Sequence, residues 1–295
     1  MPSALFDKTI PRDLNDISPI ASLEALDTET FATLVTEVIP RLSRRGGVGA
    51  AESKTPFYTK FLDIVQRRAN EPAVVSAIAA IITQPVNSED DLHRVLGALH
   101  LVVCELPEDQ ILPYRETLVA VSDPDAEGRG DRLFTGWVSP QAKDLLRFVD
   151  RRDEAWVSEH KADYMGTRSL RERVRTAREM RPFVHDLLSW LQDGNWPPYK
   201  PCEEQLARFP QIAVMPIQKI LKESRGDGGW INNLLRFVQD HVPVGRSWES
   251  IYPQVKALID APQGDEDEWE TAECAQEWLD VLNRWRSSQE GLRCA

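Results

Sequence analysis

The stretch Met180-Arg181-Pro182-Phe183-Val184-His185-Asp186-Leu187-Leu188 decides the fold, because its proline among apolar residues recurs along the chain. The same setting surrounds Pro113, Pro216 and Pro253. Pro140 and, more weakly, Pro72 keep the same spacing to the apolar residues that follow. The last three members of this series, at 182, 216 and 253, are 34 and 37 residues apart. A period in the mid-thirties is typical of repeated helical pairs.

Proline is tolerated at the first position of a helix, where its missing N–H group has no intrahelical partner to lose. The apolar pair five and six residues later then faces the same side as the apolar residue before the proline. We therefore expect each proline to open the second helix of a pair. The alternative is an ordinary helical bundle in which several helices begin with proline.

This pattern predicts an all-α fold, a HEAT-like α-solenoid of roughly six to seven helical hairpins, as one array or as two stacked arrays. A division is expected at the Asp- and Gly-rich stretch 122–131 or at 154–167. We assign residues 1–155 to an N-terminal array, 156–180 to a basic connecting helix and 181–295 to a C-terminal domain.

Local signals place the N-terminal helices. A helical hairpin is predicted over 23–42, with Asp27 or Thr28 as N-cap, and a flexible glycine loop over 44–51. Ser88 is a capping residue followed by acids in the first turn. The helices predicted after the loop are 55–69, 72–83 and 88–104.

Composition narrows the possible functions. The chain has 295 residues and a net charge of −12, which disfavours binding to nucleic acid or to anionic membranes. Its longest apolar stretch, 73–82, is too short to span a bilayer, and its N-terminus shows no secretory signal. Four scattered cysteines without metal-ligand spacing indicate reduced thiols in a cytoplasmic protein. We expect no cofactor and no metal.

The segment Leu187-Leu188-Ser189-Trp190-Leu191-Gln192-Asp193-Gly194-Asn195-Trp196-Pro197-Pro198 is the most distinctive in the chain. Over about 178–282 the sequence resembles a family of small all-helical domains of unknown function, which carry a leucine-rich helix ending in Trp-Leu-Gln-Asp and then Asn-Trp-Pro. The resemblance implies a HEAT-like helical array and no known activity. This chain departs from the family in the long region that precedes the segment.

Two interpretations of these residues stay open. In the first, Gly194 ends a helix in the left-handed conformation and Asn195 caps the next one. Trp190 and Trp196 are then wedges between helices, with hydrogen-bonded indole N–H groups. In the second, Trp196, Asn195 and Asp193 rim a pocket or concave surface and bind a ligand.

Arginines form a second candidate site. Arg168, Arg171, Arg175 and Arg178 follow one another at helical spacing, which places them on one face of a single helix. Four guanidinium groups could clamp a phosphate, a carboxylate or an acidic partner. The alternatives are a solvated face or pairing with the acidic run 264–270. That run is itself explained by acids at a helix N-terminus.

We predict a cytoplasmic interaction or scaffold module that binds a protein or peptide partner, or a small acidic ligand, on a concave helical surface. The alternative is an enzyme with a tryptophan-lined pocket between two arrays, in which Asp186, Asp193 or an acid of 265–270 transfers protons. The predicted binding residues are Arg168, Arg171, Arg175, Arg178, Trp190, Asp193, Asn195, Trp196 and, after a glycine loop, Trp230.

Overall fold

The computed structural model describes residues 10–11, 13–44 and 55–294, and within these ranges the regular structure is helical. No strand occurs there, and Val86 and Gly130 form an isolated β-bridge. The prediction of an all-α protein is therefore confirmed. The chain divides into two compact units, Met1–Arg152 (unit 1) and Asp153–Ala295 (unit 2). The predicted glycine loop at 44–51 falls outside the described residues from position 45 onward.

Unit 1 is built from α1 (Ile20–Glu24), α2 (Thr28–Arg44), α3 (Pro56–Arg68), α4 (Pro72–Ile82), α5 (Glu89–Leu101), α6 (Glu108–Ile111), α7 (Arg115–Ser122) and α8 (Arg132–Asp150). Helix α2 packs on α4 and α5, and α5 packs on α8. Helices α7 and α8 pair across the loop 123–131, which was predicted to interrupt the helices. The helices predicted over 55–69, 72–83 and 88–104 are thus confirmed, with small changes at their ends. The hairpin predicted over 23–42 is wrong, because the single helix α2 spans most of that range.

Two predicted helix starts are also confirmed. The Ser88 side chain accepts a hydrogen bond from the Asp91 amide at 3.2 Å. The Asp27 carboxylate accepts one from the Thr30 amide at 2.9 Å. Each bond satisfies an amide that has no partner in the first helical turn.

Unit 2 contains α9 (Tyr164–Arg173), α10 (Ala177–Met180), α11 (Val184–Ser189), α12 (Tyr199–Ala207), α13 (Val214–Glu223), α14 (Gly228–His241), α15 (Arg246–Asp260) and α16 (Thr271–Cys294). Helices α11, α13 and α15, which carry or follow the repeated prolines, pack on one another in chain order. Each also packs on the helix that follows it, and α14 packs on α16. Helices adjacent in the chain are therefore in contact, and so are these alternate ones.

The repeated prolines do not all open helices. Pro72 begins α4, Pro113 and Pro182 lie in single 3₁₀ turns before α7 and α11, and Pro216 is in the first turn of α13. Two others correct the prediction, because Pro140 lies inside α8 and Pro253 inside α15. These two prolines are half-exposed and exposed, so each helix loses one N–H donor on the side away from its core.

The repeat is preserved in burial instead. Around five of the six prolines, all except Pro72, the residue two positions before the proline is buried: Val138, Ile111, Met180, Val214 and Ile251. The residue five positions after these same five prolines is a fully buried leucine: Leu145, Leu118, Leu187, Leu221 and Leu258. Positions seven residues apart lie two turns apart on one helix face. The proline therefore marks a common packing register and not a common helix start.

Candidate functional site

Arg168 lies on α9 and is buried, and its Nε donates to Glu172 Oε1 at 2.7 Å. A buried guanidinium needs such a partner, because charge is costly to remove from water. Its position in the interior excludes Arg168 from an open binding surface.

The predicted single arginine helix is wrong, because α9 ends at Arg173 and Val174 is extended. Thr176 and Glu179 form a capping box: the Thr176 side chain accepts from the Glu179 amide, and the Glu179 carboxylate accepts from the Thr176 amide. A capping box starts a new helix, here α10. The sequence Thr-x-x-Glu carries this signal, and it outweighs the continuous helical spacing of the arginines.

Four arginines of residues 171–181, here called the arginine segment, remain exposed: Arg171, Arg175, Arg178 and Arg181. The nearby Glu179 carboxylate is engaged by the backbone amides of Arg175 and Thr176, which lower the pKa of this carboxyl group. Burial lowers the pKa of the neighbouring Arg208, and the charge of Arg175 lowers it further. Glu172 Oε1 lies 3.7 Å from Arg171 Nη2. The two glutamates of the segment therefore offset its positive charge only in part.

A buried carboxylate fixes the start of α9. Asp163 accepts hydrogen bonds from the Trp156 indole at 3.0 Å, the Glu159 amide at 3.0 Å and the Gly166 amide at 2.8 Å. A Cβ at Gly166 would lie 2.5 Å from the Ser158 nitrogen, so only glycine fits this close approach. The loop 156–163 is therefore a rigid support for α9.

Trp190 and Trp196 form an edge-to-face pair with ring centroids 5.5 Å apart. The Trp190 indole donates to the Ser158 carbonyl at 2.8 Å, so the hydrogen bond predicted for this indole is present. The Lys161 ammonium lies 4.8 Å from the Trp196 ring centroid, on a ring that is half-exposed. A cation over an indole face is attracted by the ring quadrupole.

The turn between these tryptophans differs from the prediction. Gly194 does not adopt a left-handed conformation, and Asn195 does not cap α12, whose N-cap is Pro198. The Asp193 carboxylate instead accepts the Asn195 amide at 2.8 Å and the Asn195 side chain at 3.1 Å. This local bonding holds a tight turn, because aspartate substitutes for a backbone acceptor two residues away.

Trp230 is buried within the core of unit 2, and its indole donates to the Leu188 carbonyl at 3.0 Å. The buried ring does not fit the predicted place of Trp230 on a binding face. Asp227 caps α14 through the Trp230 amide at 3.1 Å. The tetrapeptides Asp193–Trp196 and Asp227–Trp230 share the pattern Asp-Gly-x-Trp, but one tryptophan is half-exposed and the other buried.

The acidic run contains a buried ion pair. The Glu266 carboxylate receives both Arg225 nitrogens at 2.7 Å and the backbone amides of Gly226 and Gln263 at 2.8 Å. Burial alone would raise the pKa of Glu266, but these donors outweigh it and hold the pKa below its usual value. Glu266 therefore anchors the loop and is not a protonated acid.

Trp269, in the same loop, is 55% exposed and was missed as a site residue. The sequence analysis placed the whole acidic run 264–270 at a helix N-terminus, and α16 begins directly after it, at Thr271. The signal available was an aromatic residue flanked on both sides by acids, Asp267, Glu268 and Glu270, all of which are exposed. We call residues 263–270 the Trp269 loop.

A half-buried acid–base cluster was also missed. Glu203 Oε2 accepts from Lys200 at 2.7 Å, and Glu203 Oε1 lies 3.0 Å from His241 Nε2. Burial pushes the pKa of Glu203 up, but the hydrogen bonds from Lys200 and His241 bring it below the usual range. The sequence gives no indication of this cluster, because Glu203 of α12 and His241 of α14 are 38 residues apart.

The carboxylates required by the enzyme alternative are not buried proton donors. Asp186 is exposed, and its oxygen lies 3.8 Å from His185 Nδ1. Asp193 is half-exposed and engaged by Asn195, and Glu266 is ionised by Arg225. In the parts of the chain that the structure describes, no group of three His, Cys, Asp or Glu side chains could hold a metal ion. Over those same residues, no helix is long and apolar enough to cross a membrane.

Residues 156–279 match the model of a family described as a domain of unknown function, DUF5071. The match covers less than half of the chain and lies within unit 2. It confirms that the C-terminal part resembles a domain of unknown function, and it begins upstream of the predicted position 178, so that it includes Asp163 and α9. No curated protein and no solved structure matches the chain.

Proposed function

We propose that unit 2 is a cytoplasmic protein-binding module, a HEAT-like stack of helical pairs whose arginine segment binds an acidic stretch of a partner protein. A protein partner is favoured over nucleic acid or an anionic membrane because the chain carries a net charge of −12. The proposal assigns no catalytic step to the unit.

The repeated separation of contacting residues supports the HEAT-like part of this proposal. Side-chain hydrogen bonds between different segments of unit 2 join Arg208 to Leu170, Asn232 to Trp269 and Arg286 to Glu249. These partners are 38, 37 and 37 residues apart. In a repeat array each unit contacts its neighbours along the chain, which produces separations close to one period.

The observation that carries the binding proposal is the exposure of Arg171, Arg175 and Arg178 beside a glutamate already used as a cap. Guanidinium groups bind carboxylates in a two-pronged geometry, and they remain charged at every physiological pH. An acidic peptide offers carboxylates at the spacing of successive residues. A segment of several arginines therefore fits an extended acidic stretch better than a single small anion.

A charge-reversal experiment tests the proposal on the full chain. The R171E/R175E/R178E variant should bind a fluorescein-labelled peptide of ten glutamates at least about tenfold more weakly than the unaltered protein, measured by fluorescence anisotropy at low salt. Higher salt should weaken the unaltered protein's binding, because exposed charges are screened.

The matched control is K222E/R246E/R284E, which reverses three exposed basic residues elsewhere in unit 2. It makes the same change in net charge, so equal weakening in the two variants would assign the binding to overall charge and overturn the proposed surface. An unchanged far-UV helical signal in both variants shows that folding is retained.

A further inference from the structure

One side of the Trp269 ring lies against the start of α14, at Gly228 and Gly229. A Cβ at Gly229 would lie 3.3 Å from the indole, and one at Gly228 would lie 2.8 Å from the Trp269 Cβ. The start of α14 therefore carries no side chain at these positions and leaves room for the ring to lie against it. With 55% of the residue exposed, the ring presents apolar surface to solvent from a fixed position.

Backbone contacts hold this ring in place. Asn232 donates from its side chain to the Trp269 carbonyl at 2.6 Å, and Asp265 accepts the Gly228 amide at 2.6 Å. The Arg225–Glu266 ion pair encloses the base of the loop. A pre-organised aromatic residue loses little entropy when it is covered by a partner, which is the property of an interface anchor.

The chemistry around Trp269 selects a guanidinium group. Exposed carboxylates flank the ring at Asp267, Glu268 and Glu270. An arginine side chain can stack its planar group on an indole and donate to a neighbouring carboxylate at the same time. Lysine would satisfy the charge but not the planar stacking.

We infer that the Trp269 loop binds the arginine segment of a second copy of this protein. The inference rests on the proposed function, because it names the acidic partner of that segment. Charge complementarity supports it: residues 168–181 contain six arginines and two glutamates, whereas residues 265–280 contain eight acids and no lysine or arginine. Among the residues that the structure describes, no other stretch pairs so many acids with an exposed tryptophan.

The two surfaces adjoin different helices of unit 2. The arginine segment lies next to α12, where Arg208 donates to the carbonyls of Leu170 and Val174. The Trp269 loop lies against the start of α14, at Gly228. Each copy thus presents one surface of each kind, so association closes as a two-fold dimer or continues head to tail.

Sedimentation velocity of the full chain over a range of concentrations tests this contact. We expect a mass that rises above the 33.5 kDa of one chain with concentration and falls back in high salt. The W269A/E268K variant and the R171E/R175E/R178E variant should each remain at or near the mass of a single chain. The control W137A/E127K removes an equally exposed tryptophan and acid from unit 1 and should associate like the unaltered protein.

Mixing the two defective variants separates this contact from a general loss of folding. The arginine variant retains an intact Trp269 loop, and the loop variant retains an intact arginine segment, so an equimolar mixture should form a dimer that neither forms alone. Failure of two helical, soluble variants to complement each other overturns the inference.

The remaining outcomes distinguish the two proposals. If the unaltered protein stays at 33.5 kDa at every concentration while the arginine variant still loses the glutamate peptide, self-association is rejected and the proposed function stands. If association survives both variants, the copies meet elsewhere and the inference is wrong. If the glutamate peptide binds equally to the arginine variant, the proposed function fails.

Discussion

The two units bury their polar side chains in different ways. In unit 1, His100 of α5 is buried against α8, and burial lowers the pKa of its imidazole to about 4, although the nearby Gln141 side chain opposes the shift. In unit 2, Glu266 is buried with Arg225 and two backbone amides as donors. One unit thus encloses a group kept neutral, and the other encloses a pair of opposite charges.

This difference implies different behaviour in acid. Below about pH 6.5 the histidine of the unfolded chain binds a proton, whereas the buried histidine of the folded chain stays neutral. The free energy of unfolding therefore falls as the pH is lowered from this value. The lowered pKa of Glu266 acts at lower pH, because its stabilisation is fully present above the usual glutamate pKa and is lost as the pH falls below it. Unit 1 should therefore lose stability in mild acid before unit 2 does.

The largest effect is expected from breaking the ion pair. Glu266→Gln leaves the mostly buried Arg225 without its carboxylate and should reduce the free energy of unfolding by about 3 kcal/mol at pH 7. Urea unfolding followed by circular dichroism gives this value. Peptide-resolved hydrogen exchange should place the loss in unit 2, around residues 225–228 and 263–270.

Glu268→Gln is the matched control, since it removes an exposed acid two residues away and should change stability by less than about 0.5 kcal/mol. Equal destabilisation by both variants would mean that net charge, and not the enclosed pair, stabilises the loop.

Next in size is the pH effect at His100. With a folded-state pKa of about 4, the histidine should lower the free energy of unfolding by about 2 kcal/mol between pH 7.5 and pH 5. Hydrogen exchange, corrected for the intrinsic rate at each pH, should show the loss in α5 and α8 of unit 1.

In the His100→Gln variant this pH dependence should disappear between pH 7.5 and pH 5, whatever the variant's stability at neutral pH. A slope that persists in the variant would trace the loss of stability in acid to other groups. If unit 2 of the unaltered protein lost exchange protection at a higher pH than unit 1, the comparison between the units would be reversed.

Much of the fold could be predicted from sequence because its signals are local. Serine and aspartate caps such as Ser88 and Asp27 act within three residues, and apolar periodicity marks a helix face. Proline was misleading at 140 and 253 because its position relative to the apolar residues is the same in the middle of a helix as at its start. A proline inside a helix differs from one at a helix start in that the residues before it are also helical, and this depends on tertiary packing.

The candidate site was harder to predict because its contacts are distant in sequence. Glu266 meets Arg225 across 41 residues, and nothing in an acidic run indicates which acid is buried. The arginine helix failed for a different reason: the helical spacing was continuous, and the Thr176–Glu179 capping box that interrupts it was a readable signal. The half-exposed Trp196 and the buried Trp230 share one sequence pattern, so only packing separates them.

The smallest effect concerns the two prolines inside helices, and it compares the units directly. The carbonyl three residues before each proline accepts a glutamine side chain: Gln141 of the same helix donates to Trp137 at 3.2 Å in unit 1, and Gln218 of α13 donates to Ser250 in unit 2. In each helix the proline lacks the N–H group that would donate to the preceding turn, and a glutamine side-chain amide donates to a carbonyl of that turn.

Replacing each proline by alanine tests whether these helices gain from a restored donor. Alanine is favoured over proline in a helix interior, but the unfolded chain also becomes more flexible, so we expect Pro253→Ala and Pro140→Ala each to raise the free energy of unfolding by about 1 kcal/mol. Urea unfolding measures both. The two glutamine donors differ, because Gln218 belongs to a neighbouring helix whereas Gln141 belongs to the same helix as Pro140. If Pro253→Ala lowers the free energy of unfolding and Pro140→Ala does not, the hydrogen bond from Gln218 to the Ser250 carbonyl depends on the proline.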